Sequence, residues 1–96
     1  MKKVYVSIPI SGENYVDQRN HAFVVSVNLA QKGYEVITPF DIVKNVETPY
    51  NQAMGKCIAE LLGCNTIYLC TGWQNSQGCK AELQTAIVYG LDVLVE

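Results

Sequence analysis

The residues with the clearest chemical potential fall in one stretch, Thr71-Gly72-Trp73-Gln74-Asn75-Ser76-Gln77-Gly78-Cys79-Lys80-Ala81-Glu82. Ser76 stands where a helix N-cap is expected, but Cys79 rather than Glu follows at the third helical position, so only half of a capping box is present. Gly78 removes a side chain beside amides that point outward from a helix N-terminus, which suits close approach of an anion. Glu82 follows on the first turns of the same helix. A carboxylate aimed into a pocket at that helix mouth can serve as nucleophile or base. The helix dipole alone also favours an acid there, so the position carries both readings. Trp73, beside Gly72, either stacks on a ligand base or covers the edge of the core.

A second loop, Ser7-Ile8-Pro9-Ile10-Ser11-Gly12, offers the hydroxyls of Ser7 and Ser11 and several backbone amides. It is neither a G-x-G-x-x-G turn nor a P-loop, which excludes the usual dinucleotide and triphosphate readings, and no cofactor is expected. His21 has no partner motif and reads as a surface or boundary residue of the first helix. The four cysteines, Cys57, Cys64, Cys70 and Cys79, match no paired C-x-x-C zinc pattern. They read as free thiols in a reducing cytoplasm, with no metal and no disulfide framework.

Strands and helices alternate around these loops. Lys3 to Ile8 is β-branched and aromatic and stops at Pro9. Asn14 to Lys32 is helical, with Phe23, Ser26, Val27 and Ala30 at helical spacing, and Gly33 ends it. Tyr34 to Thr38 is a second strand ending at Pro39, and Phe40 to Pro49 reads as an irregular loop holding Asp41. A helix from near Tyr50 to Gly63 carries Met54, Ile58, Leu61 and Leu62 on one side. Thr66 to Cys70 is a nearly apolar third strand, as in the centre of a parallel sheet. After the polar loop Thr71 to Gly78, Lys80 to Tyr89 is helical with Leu83, Ala86 and Ile87 inward, and Leu91 to Val95 is a fourth strand. This βαβαβαβ order predicts an α/β fold of three layers, α/β/α, with a four-stranded parallel sheet in the order 2-1-3-4. Ligands of such sheets bind beyond the carboxyl ends of the strands where the winding switches, here between strands one and three, where both loops meet.

Composition bounds the partners. Ninety-six residues suit one domain over the whole length. They are 49% hydrophobic and 17% charged, enough to bury a core. A net charge of -2 and a pI near 5.3 weigh against a duplex-nucleic-acid reader, while a ligand with one or two phosphates remains compatible with backbone amides. No apolar run is long enough to cross a bilayer, and Met1-Lys2-Lys3 leads into a strand rather than a signal peptide, so no membrane partner is expected. Tyr15, Val24, Val25, Tyr50 and Val88 cannot all face inward, which favours a homodimer.

Taken together, V-Y-V-S-I-P-I-S-G, T-P, M-G-K-C-I-A-E-L-L-G-C-N and G-W-Q-N-S-Q-G-C-K-A-E-L-Q-T-A-I-V-Y-G resemble the nucleoside 2-deoxyribosyltransferase-like superfamily. The likeness is closest to its short phage and bacterial members, runs through the whole chain in order, and is most specific at S-x-G-x-x-x-E. It implies cleavage of the bond between a base and deoxyribose, in a deoxynucleoside or its 5′-monophosphate, by a hydrolase or transferase with Glu82 as the nucleophile that attacks C1′. It further implies that Ser76 and Gly78 hold the 5′ end and that Tyr5 and Ile10 line the pocket. The sequence departs from the superfamily pattern at Ile8, in place of a glycine, and at Cys57 and Asn65, each in place of an aspartate. Cys57 therefore falls at a substrate-site position, and Asp41, in the loop after strand two, is a candidate to compensate for its missing acid. A catalytically weak nucleotide-binding module and a small interaction protein are the alternative readings of the same fold.

Overall fold

The computed structural model describes all of residues 1–96. Its element order is β1 (Lys3–Ser7), α1 (Tyr15–Gln31), β2 (Glu35–Ile37), α2 (Pro39–Ile42), α3 (Tyr50–Leu62), β3 (Thr66–Leu69), a 3-10 turn (Trp73–Asn75), α4 (Gln77–Val88) and β4 (Asp92–Val95). The strands form one sheet in the order β2-β1-β3-β4, with every pair parallel. Val4 lies opposite Val36 and Thr66, and Ile67 opposite Tyr5 and Val93. The predicted α/β class and strand order are those observed.

Strand alternation divides the core in two. Val4, Val6 and Ile8 of the central strand segment point to the α1 side, where they meet Ala22, Val25 and Leu29 together with Cys70. Tyr5, Ile67 and Leu69 point the other way, onto Cys57 and Leu61 of α3 and Ala86 of α4. Buried on both faces, β1 reads as the apolar run that a central parallel strand requires.

The helix ends follow from local chemistry. Asn14 caps α1 by accepting from the Asp17 N–H, and Ser76 caps α4 by accepting from the Cys79 N–H. Gly33 (φ 95°) and Gly90 (φ 73°) take the left-handed conformation just past α1 and α4. There the pairs Gly33 N–H to Ala30 C=O with Tyr34 N–H to Leu29 C=O, and Gly90 N–H to Ile87 C=O with Leu91 N–H to Ala86 C=O, close Schellman motifs. An L side chain at either glycine would be strained.

Three elements differ from the sequence expectation. The segment expected as an irregular loop from Phe40 begins with a helical turn, because Thr38 and Asp41 form a reciprocal capping box ahead of Pro39 at the first helical position. In α1 the buried stripe is Ala22, Val25 and Leu29, leaving Phe23 and Val27 exposed. Apolar residues run around more than one face of that helix, so spacing alone does not select the face that turns to β1. In α4 the inward row is Cys79, Glu82 and Ala86, while Ile87 faces solvent and the helix starts at Gln77 rather than Lys80. Of the residues considered for a subunit contact, Val25 is buried and Tyr15 packs edge-on against Phe40, with Val24, Tyr50 and Val88 left exposed.

Leu61 has no exposed surface and fills the centre of the α3 side of the core. Leu61→Ala is expected to lower unfolding free energy by about 2–5 kcal/mol in urea denaturation, through lost burial and the cavity it leaves.

Candidate active site

At the carboxyl ends of β1 and β3 a cleft of about 770 Å³ opens between the segment after β1, α2 with the linker into α3, and the start of α4. Glu82 closes its floor and is the only Asp, Glu, Lys, Arg or His that lines it. The side chain is almost wholly buried, with 4% of the residue exposed. Tyr5 donates its hydroxyl to Glu82 Oε2 and Ser7 donates to Glu82 Oε1, both at 2.7 Å. Strand alternation explains the arrangement: Tyr5 and Ser7 are two residues apart on β1 and so face the same side, the side on which α4 packs.

Burial pushes the Glu82 carboxyl above its ordinary value, while the hydrogen bonds from Tyr5 and Ser7 hold it partly down. Burial and the Glu82 charge together push the Tyr5 phenol well up, which keeps it a proton donor. Cys57 stands at the cleft wall with its thiol raised by burial, opposed by the Tyr5 hydroxyl and reinforced by Glu82. Burial also raises Cys79, against the hydroxyls of Ser7 and Ser76. Both remain neutral thiols near pH 7, so Glu82 is the sole side chain in the cleft with a charge to use.

The mouth of α4 completes one end. Ser76 Oγ takes the Cys79 N–H, which leaves the Gln77 and Gly78 N–H groups without an intrahelical acceptor. Gly78 has no need of glycine for its backbone angles. A Cβ there would sit 3.4 Å from Met54 Sδ and 3.5 Å from Tyr50 Oη, filling cleft space. Its absence keeps the helix mouth open. With no Lys, Arg or His in the lining, an anion would depend on these amides and the helix dipole.

The sequence candidates divide clearly. Ile10, Ser11, Cys57, Ser76, Gly78 and Glu82 line the cleft, and so does Ile8 where a glycine was expected. Tyr5 and Ser7 lie one layer behind, holding Glu82. Trp73 is outside the lining and packs against the α3 side of the core, so it covers the core edge rather than stacking in the cleft. Asp41 is also outside: its Oδ2 accepts from the Thr38 N–H at 2.9 Å, so capping α2 uses the carboxylate that sequence reasoning offered to the site. Asn65 sits at the opposite, amino end of the sheet, where its Oδ1 accepts from the Lys3 N–H, so the missing acid at that position has no bearing on the cleft. Residues that sequence reasoning missed include Tyr15, Phe40, Asn45, Thr48 and Tyr50. The available signal was a Thr-Pro-aromatic triplet that occurs twice, Thr38-Pro39-Phe40 and Thr48-Pro49-Tyr50.

Residues 2–95 match the family described as Domain of unknown function (DUF4406). No curated protein matches the sequence. Among solved structures, a 2-deoxyribosyltransferase from the psychrotolerant bacterium Bacillus psychrosaccharolyticus is similar with a TM-score of 0.73 and 17% identity, over 97% of this chain and 70% of that one. A 2-deoxyribosyltransferase from Leishmania mexicana is similar with a TM-score of 0.70 and 21% identity, over 99% of this chain and 63% of that one. The chain thus spans about two thirds of the length of these proteins and shares their fold. By the match along nearly its whole length, the chain belongs to the DUF4406 family.

Proposed function

We propose that this protein cleaves or transfers the N-glycosidic bond of a deoxynucleoside or its 5′-monophosphate through Glu82. The observation that carries this reading is a buried carboxylate at the floor of a nucleoside-sized cleft, with each oxygen held by a hydroxyl at 2.7 Å. Similarity of fold to proteins described as 2-deoxyribosyltransferases supports a nucleoside-type substrate in this reading. A carboxylate in a dry, fixed position opposes the positive charge that develops at C1′ when a glycosidic bond breaks.

In the first step a Glu82 oxygen bonds to C1′, and the C1′–N bond breaks with its electron pair leaving on the base, which takes up a proton. In the second step water, or the nitrogen of another base, bonds to C1′ as the C1′–Glu82 bond breaks; the incoming group loses a proton and the carboxylate is restored. Each Glu82 oxygen keeps a lone pair beyond the one bound by Tyr5 or Ser7, so the hydroxyls orient the nucleophile without blocking it. Gly78 and Ser76 at the helix mouth hold the 5′ end, and Ile10, Tyr15 and Phe40 supply apolar contact for the rest.

A second reading, a nucleotide-binding module with little or no turnover, is favoured by Cys57. That thiol occupies the cleft wall where the related pattern has an aspartate, and no other carboxyl lines the cleft to protonate a departing base.

Incubation with deoxynucleoside monophosphates, followed by chromatography for free base, tests the first reading. Glu82→Ala should reduce base release about a thousandfold or more, and equal release by both proteins would remove Glu82 as nucleophile. Glu82→Gln should be equally inactive yet at least as stable as the parent at neutral pH. A carboxyl whose folded pKa is raised incurs no penalty below its unfolded pKa and its full penalty above the folded one, so removing the charge relieves that penalty.

Tyr5→Phe removes a hydrogen bond that holds the Glu82 pKa down. The acid limb of the pH profile for kcat/KM is expected to move to higher pH. An unmoved limb would mean that another group sets it. Cys57→Asp should increase base release if the missing acid limits the rate, and binding without any gain in turnover would favour the module.

A further inference from the structure

Away from the cleft, on the α1 side of the sheet, three side chains from separate parts of the chain converge. His21 comes from α1, Cys70 from the residue after β3, and Glu96 from the residue after β4. Their ligand atoms all lie within 4.8 Å of one another, and no other trio of His, Cys, Asp or Glu meets that condition. None of them lines the cleft.

We propose that His21, Cys70 and Glu96 form a binding site for a zinc-class divalent cation. An imidazole nitrogen, a thiolate and a carboxylate are the donor types that a borderline-soft cation takes. Tetrahedral coordination places such donors about 3.3–3.6 Å apart. His21 Nε2 stands 2.7 and 3.0 Å from the two Glu96 oxygens, so that pair must open slightly and the thiol close by up to about an ångström, within the reach of side-chain rotation.

The surroundings are built for it. The Thr71 N–H donates to Glu96 Oε1 at 2.8 Å, and the Glu96 N–H donates to the Leu69 carbonyl at 2.9 Å, which fixes both the carboxylate and its backbone. The Cys70 N–H bonds the Ser7 carbonyl, anchoring the thiol to β1. Partial burial works to raise the Glu96 carboxyl, but the Thr71 amide and His21 outweigh it and keep the group ionised. Burial, reinforced by the Glu96 charge, pushes Cys70 up to about 12, so the sulfur carries a proton in the free protein. On binding, the S–H bond breaks as a sulfur–metal bond forms, and His21 Nε2 gives up the proton it donates to the Glu96 carboxylate as its lone pair turns to the metal; both protons leave to solvent, or the ring keeps one on Nδ1 as the neutral tautomer. The side chains of His21 and Glu96 are 39% and 26% exposed, which leaves the fourth position to water. The cation would tie α1 to the ends of β3 and β4.

Titration of the full chain with Co²⁺ as the probe tests the site. One equivalent should produce an intense near-ultraviolet thiolate-to-cobalt band that Zn²⁺ displaces and that Cys70→Ser abolishes. His21→Ala and Glu96→Gln should each weaken binding by about tenfold or more. Because Cys70 is a core residue, the two variants at part-exposed positions also serve if Cys70→Ser does not fold. In them, the rise in melting temperature that Zn²⁺ gives the parent should be lost. No thiolate band, a band that survives in Cys70→Ser, or unchanged affinity in His21→Ala would overturn the site and leave a plain His21–Glu96 hydrogen bond.

Discussion

A carboxylate taken out of water must be compensated, and in this protein the compensation organises everything near it. Moving such an ion into a protein interior costs several kcal/mol even after relaxation. Hydrogen bonds to a charged acceptor return about 1.5–3 kcal/mol each. Glu82 receives two, from hydroxyls on one face of the central strand. That pairing ties α4 to β1 through Tyr5 and Ser7 and seats the one acidic side chain in a cleft lined by no other Asp, Glu, Lys, Arg or His. A group held this way resists reorganisation, the property on which the proposed reaction depends.

Much of the framework was legible from periodicity and punctuation. Pro9, Gly33, Pro39, Gly63 and Gly90 separate the elements, and the alternation of strand and helix leaves few topologies to choose among. Helix rotation was not legible. In α1 apolar side chains run around the cylinder, so Phe23 and Val27 had as strong a claim to the core as Val25 and Leu29. In α4 a rule that turns charges outward moves the face by one residue and puts Ile87 inside, because the partners of Glu82 lie 75 and 77 positions away on β1. Asp41 failed for a local reason: Thr38-Pro39-Phe40-Asp41 is a capping box, and the carboxylate is engaged before any ligand arrives.

The sheet also separates duties by its two ends and its two faces. At the amino end, Asn65 joins β3 to β1 through the Lys3 amide, a purely structural contact. At the carboxyl end, the α3 and α4 side holds the cleft, while the α1 side holds the His21, Cys70 and Glu96 group. Cys70 and Ser7 are adjacent through a backbone hydrogen bond, so one short stretch of main chain supports both. Substitutions read as local to one face can therefore reach the other through the spacing of β1 and β3.

The alternation of β1 has a consequence for how the chain finds its fold. Val4, Val6 and Ile8 face one way and Tyr5 and Ser7 the other. A parallel pairing that slipped by one residue would exchange the two sets. It would set Glu82 against valines with no hydroxyl in reach, a cost no apolar contact offsets. The acid thus serves as a proofreader of strand alignment: only the chain threaded with the correct parity can close around it. A buried carboxylate at the floor of the cleft also bears on which strand alignments can close.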